Sequence, residues 1–307
     1  MSTDQQHRRV LRVAPSVAAL VAACLAVVAP AARAEAACAP ALAQTAIAPD
    51  VPILDWSENV GYDARGDLWV ARIYRNEVQR YDRTGALTAS VPVEFPGAVR
   101  LGPDGLMYVV YGDTPVSAVR PGGVVRFDPA APAPAPEVFV AGLASMPNGA
   151  AFGDDGALYV AAGNAGVIRV RPDGTVDPEW SARAAVPGAN GIAIRDGVVY
   201  LTANSAPLGR VLSFPVDAPE RRTVLADLTS RVPGAPDFAD DLIIDSAGYL
   251  YVTTLSGTLV RVDSRGGAVC TLLTGEPMTS VVAVPQRPGE LLAGTEGGAV
   301  LRIRLSA

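Results

Sequence analysis

A short phrase recurs along this chain: a polar residue, an apolar run, a turn closed by glycine, and a second apolar run carrying an aromatic. It reads ENVGYDARGDLWVA from Glu58, NGAAFGDDGALYVA from Asn148, NGIAIRDGVVYLTA from Asn190 and DDLIIDSAGYLYVT from Asp240. The turn glycine stands eight residues after the leading residue in three copies (Gly66, Gly156, Gly248) and seven after it in the Asn190 copy (Gly197). Looser copies begin at Gly97 (GAVRLGPDGLMYVV) and Ser280 (SVVAVPQRPGELLAG). A unit repeated at this period cannot bury its apolar face alone and must stack on its neighbours.

A second signature fixes the number of units. Each phrase is followed by a segment reading apolar, any residue, Arg, apolar: VQRY at Arg80, VVRF at Arg126, VIRV at Arg169, LVRV at Arg261 and VLRI at Arg302, with VLSF at Ser213 in the fourth unit. The steps are 46, 43, 44, 48 and 41 residues, the length of one four-stranded blade. Short β-rich runs between Gly, Pro and Asp turns, without a convincing amphipathic helix, predict an all-β fold. Six such units predict a closed six-bladed β-propeller. The chain stops at LRIRL, the third strand of blade six, so the fourth is expected from the segment between Ala43 and Ile53, closing the ring with both ends of the chain. The alternating Ala and Pro of residues 130–136 read as a stiff loop between blades two and three.

Residues 1–34 read as a secretory signal: a basic front (Arg8, Arg9, Arg12), an Ala/Val-rich run, and the small-x-small sequence Ala32-Arg33-Ala34. Residues 35–52 are then a lead and closing strand, and 53–307 the propeller. A lipoprotein anchor at Cys24 is the alternative, against which apolar residues continue past that cysteine. Export places the mature chain in a secreted or periplasmic setting, with no membrane association after cleavage. It leaves Cys38 and Cys270 as an even pair in an oxidising compartment, so a disulfide is expected, the alternative being two buried thiols.

Absences exclude several chemistries. There is no Lys, so no Schiff base or phosphate-loop lysine, and the only His, His7, lies in the signal. Ser-His-Asp catalysis and a His-ligated zinc site are therefore excluded for the mature chain. Beyond residue 34 it carries 21 basic and 30 acidic residues, a balance that repels nucleic acid.

In a propeller the inner strands all start near the axis, so the leading residues of the phrases form a ring: Glu58, Gly97, Asn148, Asn190, Asp240, Ser280. Glu58, Asn148, Asn190 and Asp240 give oxygen donors with two formal charges, a set suited to calcium, with magnesium, manganese or zinc also possible. Asn, Asp and Gly before a strand are also ordinary turn formers. Their shared phase in the repeat favours the ion. Trp56 and Trp69 read as blade packing, the recurring Arg as solvent-facing or inter-blade positions, and Asp237 as a loop charge.

The order Glu, Asn, Asn, Asp at blades one, three, four and five resembles the senescence marker protein (regucalcin) and gluconolactonase-like family, with diisopropylfluorophosphatase among its relatives. The likeness spans about Ile53 to Leu305. It implies Glu58, Asn190 and Asp240 as metal ligands, Asn148 beside metal and substrate, and Asp240 as general base or nucleophile. Asp241, where the family often has Gly, leaves open which carboxylate faces the ion; the spacing to Gly248 selects Asp240. Sugar-lactone members carry an Arg two residues before the third-blade Asn, where this chain has Met146. That places Met146, Asp241 and Ser280 as candidate pocket residues, and suggests a less polar lactone or ester as the small-molecule substrate. A non-catalytic NHL-like binding propeller and a metal-free strictosidine-synthase-like enzyme would share the blades without needing the donors.

Overall fold

A computed structural model of the chain describes residues 38–204, 209–228 and 237–306. The expected signal, with His7 and Cys24, lies outside them. Six four-stranded antiparallel sheets follow one another, each running from an inner strand outward. The inner strands are Ser57–Tyr62, Val99–Leu101, Pro147–Phe152, Ala189–Arg195, Ala239–Ile244 and Met278–Ala283. Each packs against the next, and the last against the first. The ring is closed as expected: Leu42–Ile47 pairs with Val300–Arg304 and supplies the outer strand of blade six.

Both repeat signatures have a structural cause. In blade three the turn carboxylate Asp155 accepts the Ala157 amide on one oxygen and the Tyr159 hydroxyl, at 3.0 Å, on the other. Arg169, paired across the sheet with Tyr159, lies over that ring and donates to the same Asp155 at 2.6 Å. Blade one repeats the arrangement with Asp63, the Trp69 indole and Arg80 over the indole, and blade five joins Asp245 to Tyr251. In blades one and three turn, aromatic and Arg thus form a brace, each cation–ring contact contributing roughly 0.5–1 kcal/mol, whereas blade four has Ser213 in place of the Arg. Arg80 also reaches the Pro129 carbonyl of blade two, an inter-blade position, while Arg169 braces its own blade.

Apolar clusters of the described residues lie at every seam between successive blades, including that of six and one. Trp69, fully buried, packs on Phe127 of blade two with ring centroids 5.0 Å apart. Besides two short 3-10 turns, Ile73–Arg75 and Pro115–Ala118, one α-helix occurs among the described residues, Pro178–Arg183, after a two-residue outer strand in blade three. Asp177 caps it through the Trp180 amide, and Trp180 fills the seam with blade four. At six residues it is too short to show a helical period in sequence. Among the described residues no helix is long and apolar enough to cross a membrane.

Cys38 and Cys270 form a disulfide, their Cα atoms 5.7 Å apart, tying the lead to the outer strand of blade five. The bond is typical of oxidising compartments. It spans 232 residues, so changing both cysteines to serine is expected to cost about 3–5 kcal/mol. Urea denaturation of the double variant, with a lower midpoint and a steeper slope because the unfolded chain is no longer cross-linked, is the check.

Candidate functional site

The inner strands approach one another so closely that side chains cannot intervene. A Cβ on Gly149 would strike the Asn190 carbonyl, and one on Gly191 the Asp240 carbonyl, which is why glycine follows both asparagines. The Thr202 hydroxyl accepts the Gly191 amide at 2.7 Å and donates to the Asp240 carbonyl at 2.6 Å, locking blade four to blade five. At this level the inner strands of blades one, three, four, five and six carry a bulge, and the bulge delivers the ring residue.

Glu58 is the bulged residue of blade one, between the paired Ser57 and Asn59. It is 5% exposed and accepts the Trp56 indole N–H on Oε2 at 2.6 Å and Asn148 Nδ2 on Oε1 at 3.0 Å. Trp56, read as packing, is thus a direct partner of Glu58. Asn148 Nδ2 also donates to Asp113 Oδ2 at 2.8 Å. With both amide protons committed to carboxylates, Oδ1 of Asn148 is the atom left for a further partner. Across the ring, Asn190 Nδ2 donates to Asp240 Oδ1 at 2.8 Å, and Asn190 Oδ1 is buried with no hydrogen-bond partner among the described residues.

Burial drives the electrostatics. Asp240 is held well above the ordinary carboxylate range, first by desolvation, then by the charges of Glu58, Asp241 and Asp113. Burial, then the charge of Glu58, pushes Asp113 well up, and burial also raises Glu58 despite its three hydrogen bonds. These buried acids repel one another, and among the described residues no Arg pairs with Glu58, Asp113 or Asp240. Among the described residues no three His, Cys, Asp or Glu side chains gather in a metal-holding group. A cation would therefore need the amide oxygens as well. The orphaned Asn190 Oδ1 and the Asn148 Oδ1, whose Nδ2 is committed to Glu58 and Asp113, fit that need, and the donor set is all oxygen, as a hard ion requires.

The two adjacent aspartates have different surroundings. Asp240 meets Asn190, whereas Asp241 receives Asn59 Nδ2 at 3.1 Å and the Arg100 guanidinium at 3.3 Å. Blade six has a different phase from that read in its sequence: its bulge lies between Met278 and Ser280, so Thr279, not Ser280, matches Glu58. Ser280 matches Asn59, one step along the strand, and is fully buried. Asp237 is not a solvated loop charge; it is 3% exposed and accepts the Thr258 hydroxyl at 3.3 Å.

A cavity of about 440 Å3 adjoins Asn148 and Asn190. Its wall includes Asp113, Ser117, Met146 and Asn204, and no cationic side chain among the described residues. Met146 lines it; Asp241 and Ser280 do not. Ser145 and Met146 both have left-handed backbone (φ 68° and 57°), and the Met146 amide donates to Ser117 Oγ at 2.6 Å, holding the strained pair against the cavity. Asp113 and Asn204 escape a reading of the phrase heads because they follow second strands, Met107–Tyr111 and Val198–Ala203. Those strands run back to the end of the blade where the inner strands begin, so the residues just after them were the available signal.

No protein-family model and no curated protein matches the sequence. Solved structures do match in fold, which is that of the six-bladed propellers of gluconolactonase and regucalcin type. A gluconolactonase from Xanthomonas campestris is 16% identical with a TM-score of 0.65, the match covering 90% of this chain and 99% of that one. A calcium-binding protein, regucalcin, from Agrobacterium tumefaciens is also 16% identical, with a TM-score of 0.66 and coverage of 87% and 95%. A luciferin-regenerating enzyme is 15% identical, with a TM-score of 0.64 and coverage of 86% and 95%.

Proposed function

We propose that the protein is an exported, divalent-cation-dependent hydrolase of a lactone or related ester, with calcium as its ion. The observation that carries this reading is the arrangement of Glu58 with Asn148 and Asp240 with Asn190. In each pair the carboxylate holds the amide nitrogen, which leaves an amide oxygen free beside a surplus of buried negative charge. The fold shared with a calcium-binding regucalcin and with a gluconolactonase supports it.

Glu58, Asn148, Asn190 and Asp240 would hold the ion. Bound there, calcium supplies Lewis acidity toward a carbonyl oxygen and an attacking water. Asp240 would then serve as proton acceptor from that water or as the attacking carboxylate. The described wall of the cavity against Met146 offers apolar surface, amide groups and the Asp113 carboxyl, which favours a neutral, weakly polar substrate over a sugar acid. The disulfide supports an extracytoplasmic location.

Lactones, aryl esters and phosphotriesters assayed with added calcium, magnesium, manganese or zinc, and after chelation, test the reading. Metal-restored hydrolysis of a lactone or carboxylic ester is expected. Hydrolysis that chelation leaves untouched, or none on any substrate, would overturn it.

A further inference from the structure

Beside the candidate cation site the central channel holds a side chain of opposite sign. Arg100 leaves the inner strand of blade two and reaches toward blade five, which in a closed ring of six lies directly across the axis. Its Nη2 stands 3.4 Å and 3.3 Å from the two oxygens of Asp241. Nη1 donates to Asn59 Oδ1 of blade one at 2.5 Å, and Nε to the Ala150 carbonyl of blade three at 2.8 Å. One guanidinium thus ties four blades together. The Asp241 side chain, 3% exposed, has both oxygens engaged: Oδ1 also accepts the Leu242 amide at 2.9 Å and Oδ2 accepts Asn59 Nδ2.

Two consecutive buried carboxylates are therefore neutralised differently. Asp241 has a cation supplied by the chain itself, whereas among the described residues Asp240 has the Asn190 amide as its side-chain partner. We infer that Arg100 is a built-in counter-ion of the channel, a positioning residue that withdraws Asp241 from metal binding and limits the negative potential felt by an ion at Asp240 and Glu58. The inference rests on the cation site proposed above and adds to it what restricts the site to one ion of moderate affinity. A positive charge spanning the channel opposes cation entry, and an Asp241 freed of it would become an additional hard donor.

Calcium titration by calorimetry on wild type, Arg100→Met, Asp241→Asn and the double variant tests this, with melting of the chelated proteins at pH 8 as the companion measurement. Wild type is expected to take up one ion. Arg100→Met should bind it at least about tenfold more tightly or take up a second, because a cation is lost and a carboxylate gained. The double variant, with both charges removed, should return to wild-type uptake. In the chelated state each single variant should melt below wild type and the double variant above Arg100→Met, since a lone buried charge is worse than none. Unchanged or weaker uptake by Arg100→Met, with wild type still binding, overturns the limiting role and leaves the functional reading standing. No uptake by wild type overturns the functional reading and the limiting role with it. Strictly additive melting shifts in the chelated proteins overturn the counter-ion pairing whatever the calcium result.

Discussion

Asp240→Asn is expected to lower turnover by about 10²–10⁴-fold, the range for loss of a general base, and to abolish the calcium-induced rise in melting temperature. The fold should survive, because an Asn at 240 can still accept the Asn190 amide and Thr202 holds the backbone carbonyl rather than the side chain. The chelated variant should even melt at or above chelated wild type at pH 8, since one of several mutually repelling buried carboxylates is gone. This combination separates a functional acid from a structural one. Activity within a few-fold of wild type, or a variant that fails to fold while Asp240→Glu also fails, would remove Asp240 from the mechanism.

Calcium should raise the melting temperature more at pH 8 than at pH 5. Glu58, Asp113 and Asp240 all hold protons more firmly in the folded chain than in the unfolded one. Between the ordinary carboxylate range, near 4, and their raised folded values, the native state binds more protons, so the ion-free fold loses stability as pH rises through that window. A cation reverses the loss by occupying the place of the protons, and it competes poorly with them at pH 5. At a hundredfold excess over its dissociation constant, calcium adds about 2.7 kcal/mol, which for a domain of this size is a rise of about 5–10 °C. Melting curves at the two pH values, with calcium and with chelator, supply the check. A chelator-insensitive melt at pH 8 would favour the NHL-like or strictosidine-synthase-like alternatives.

The blades were legible in sequence because each recurring letter has an energetic role that repeats from blade to blade. The turn glycine takes a positive φ, the aromatic fills a seam, and the Arg braces aromatic and turn. The phase of Glu58, Asn148, Asn190 and Asp240 followed from the same repetition. What the phrase could not reveal comes from elsewhere in the unit or from across the ring. Asp113 and Asn204 follow second strands, and Arg100 reaches toward the opposite blade; no spacing in the text connects it to Asp241. Blade six was misphased because its bulged residue, Thr279, is not a carboxylate or amide, so the eye settled on the next polar residue before the apolar run. Trp56 looked like packing because its apolar ring conceals the one N–H that Glu58 requires.

The pairing of Leu42–Ile47 with Val300–Arg304 also has a kinetic consequence. A ribosome finishes the first of these segments long before the second exists, so the chain carries an unmated strand through nearly all of its synthesis. Five blades can form by local hairpins in the meantime, but the circle has no latch until its final residues arrive. Losing those residues would take Val300 and Ile303 from the seams that blade six shares with blades one and five and leave Leu42–Ile47 without its partner strand.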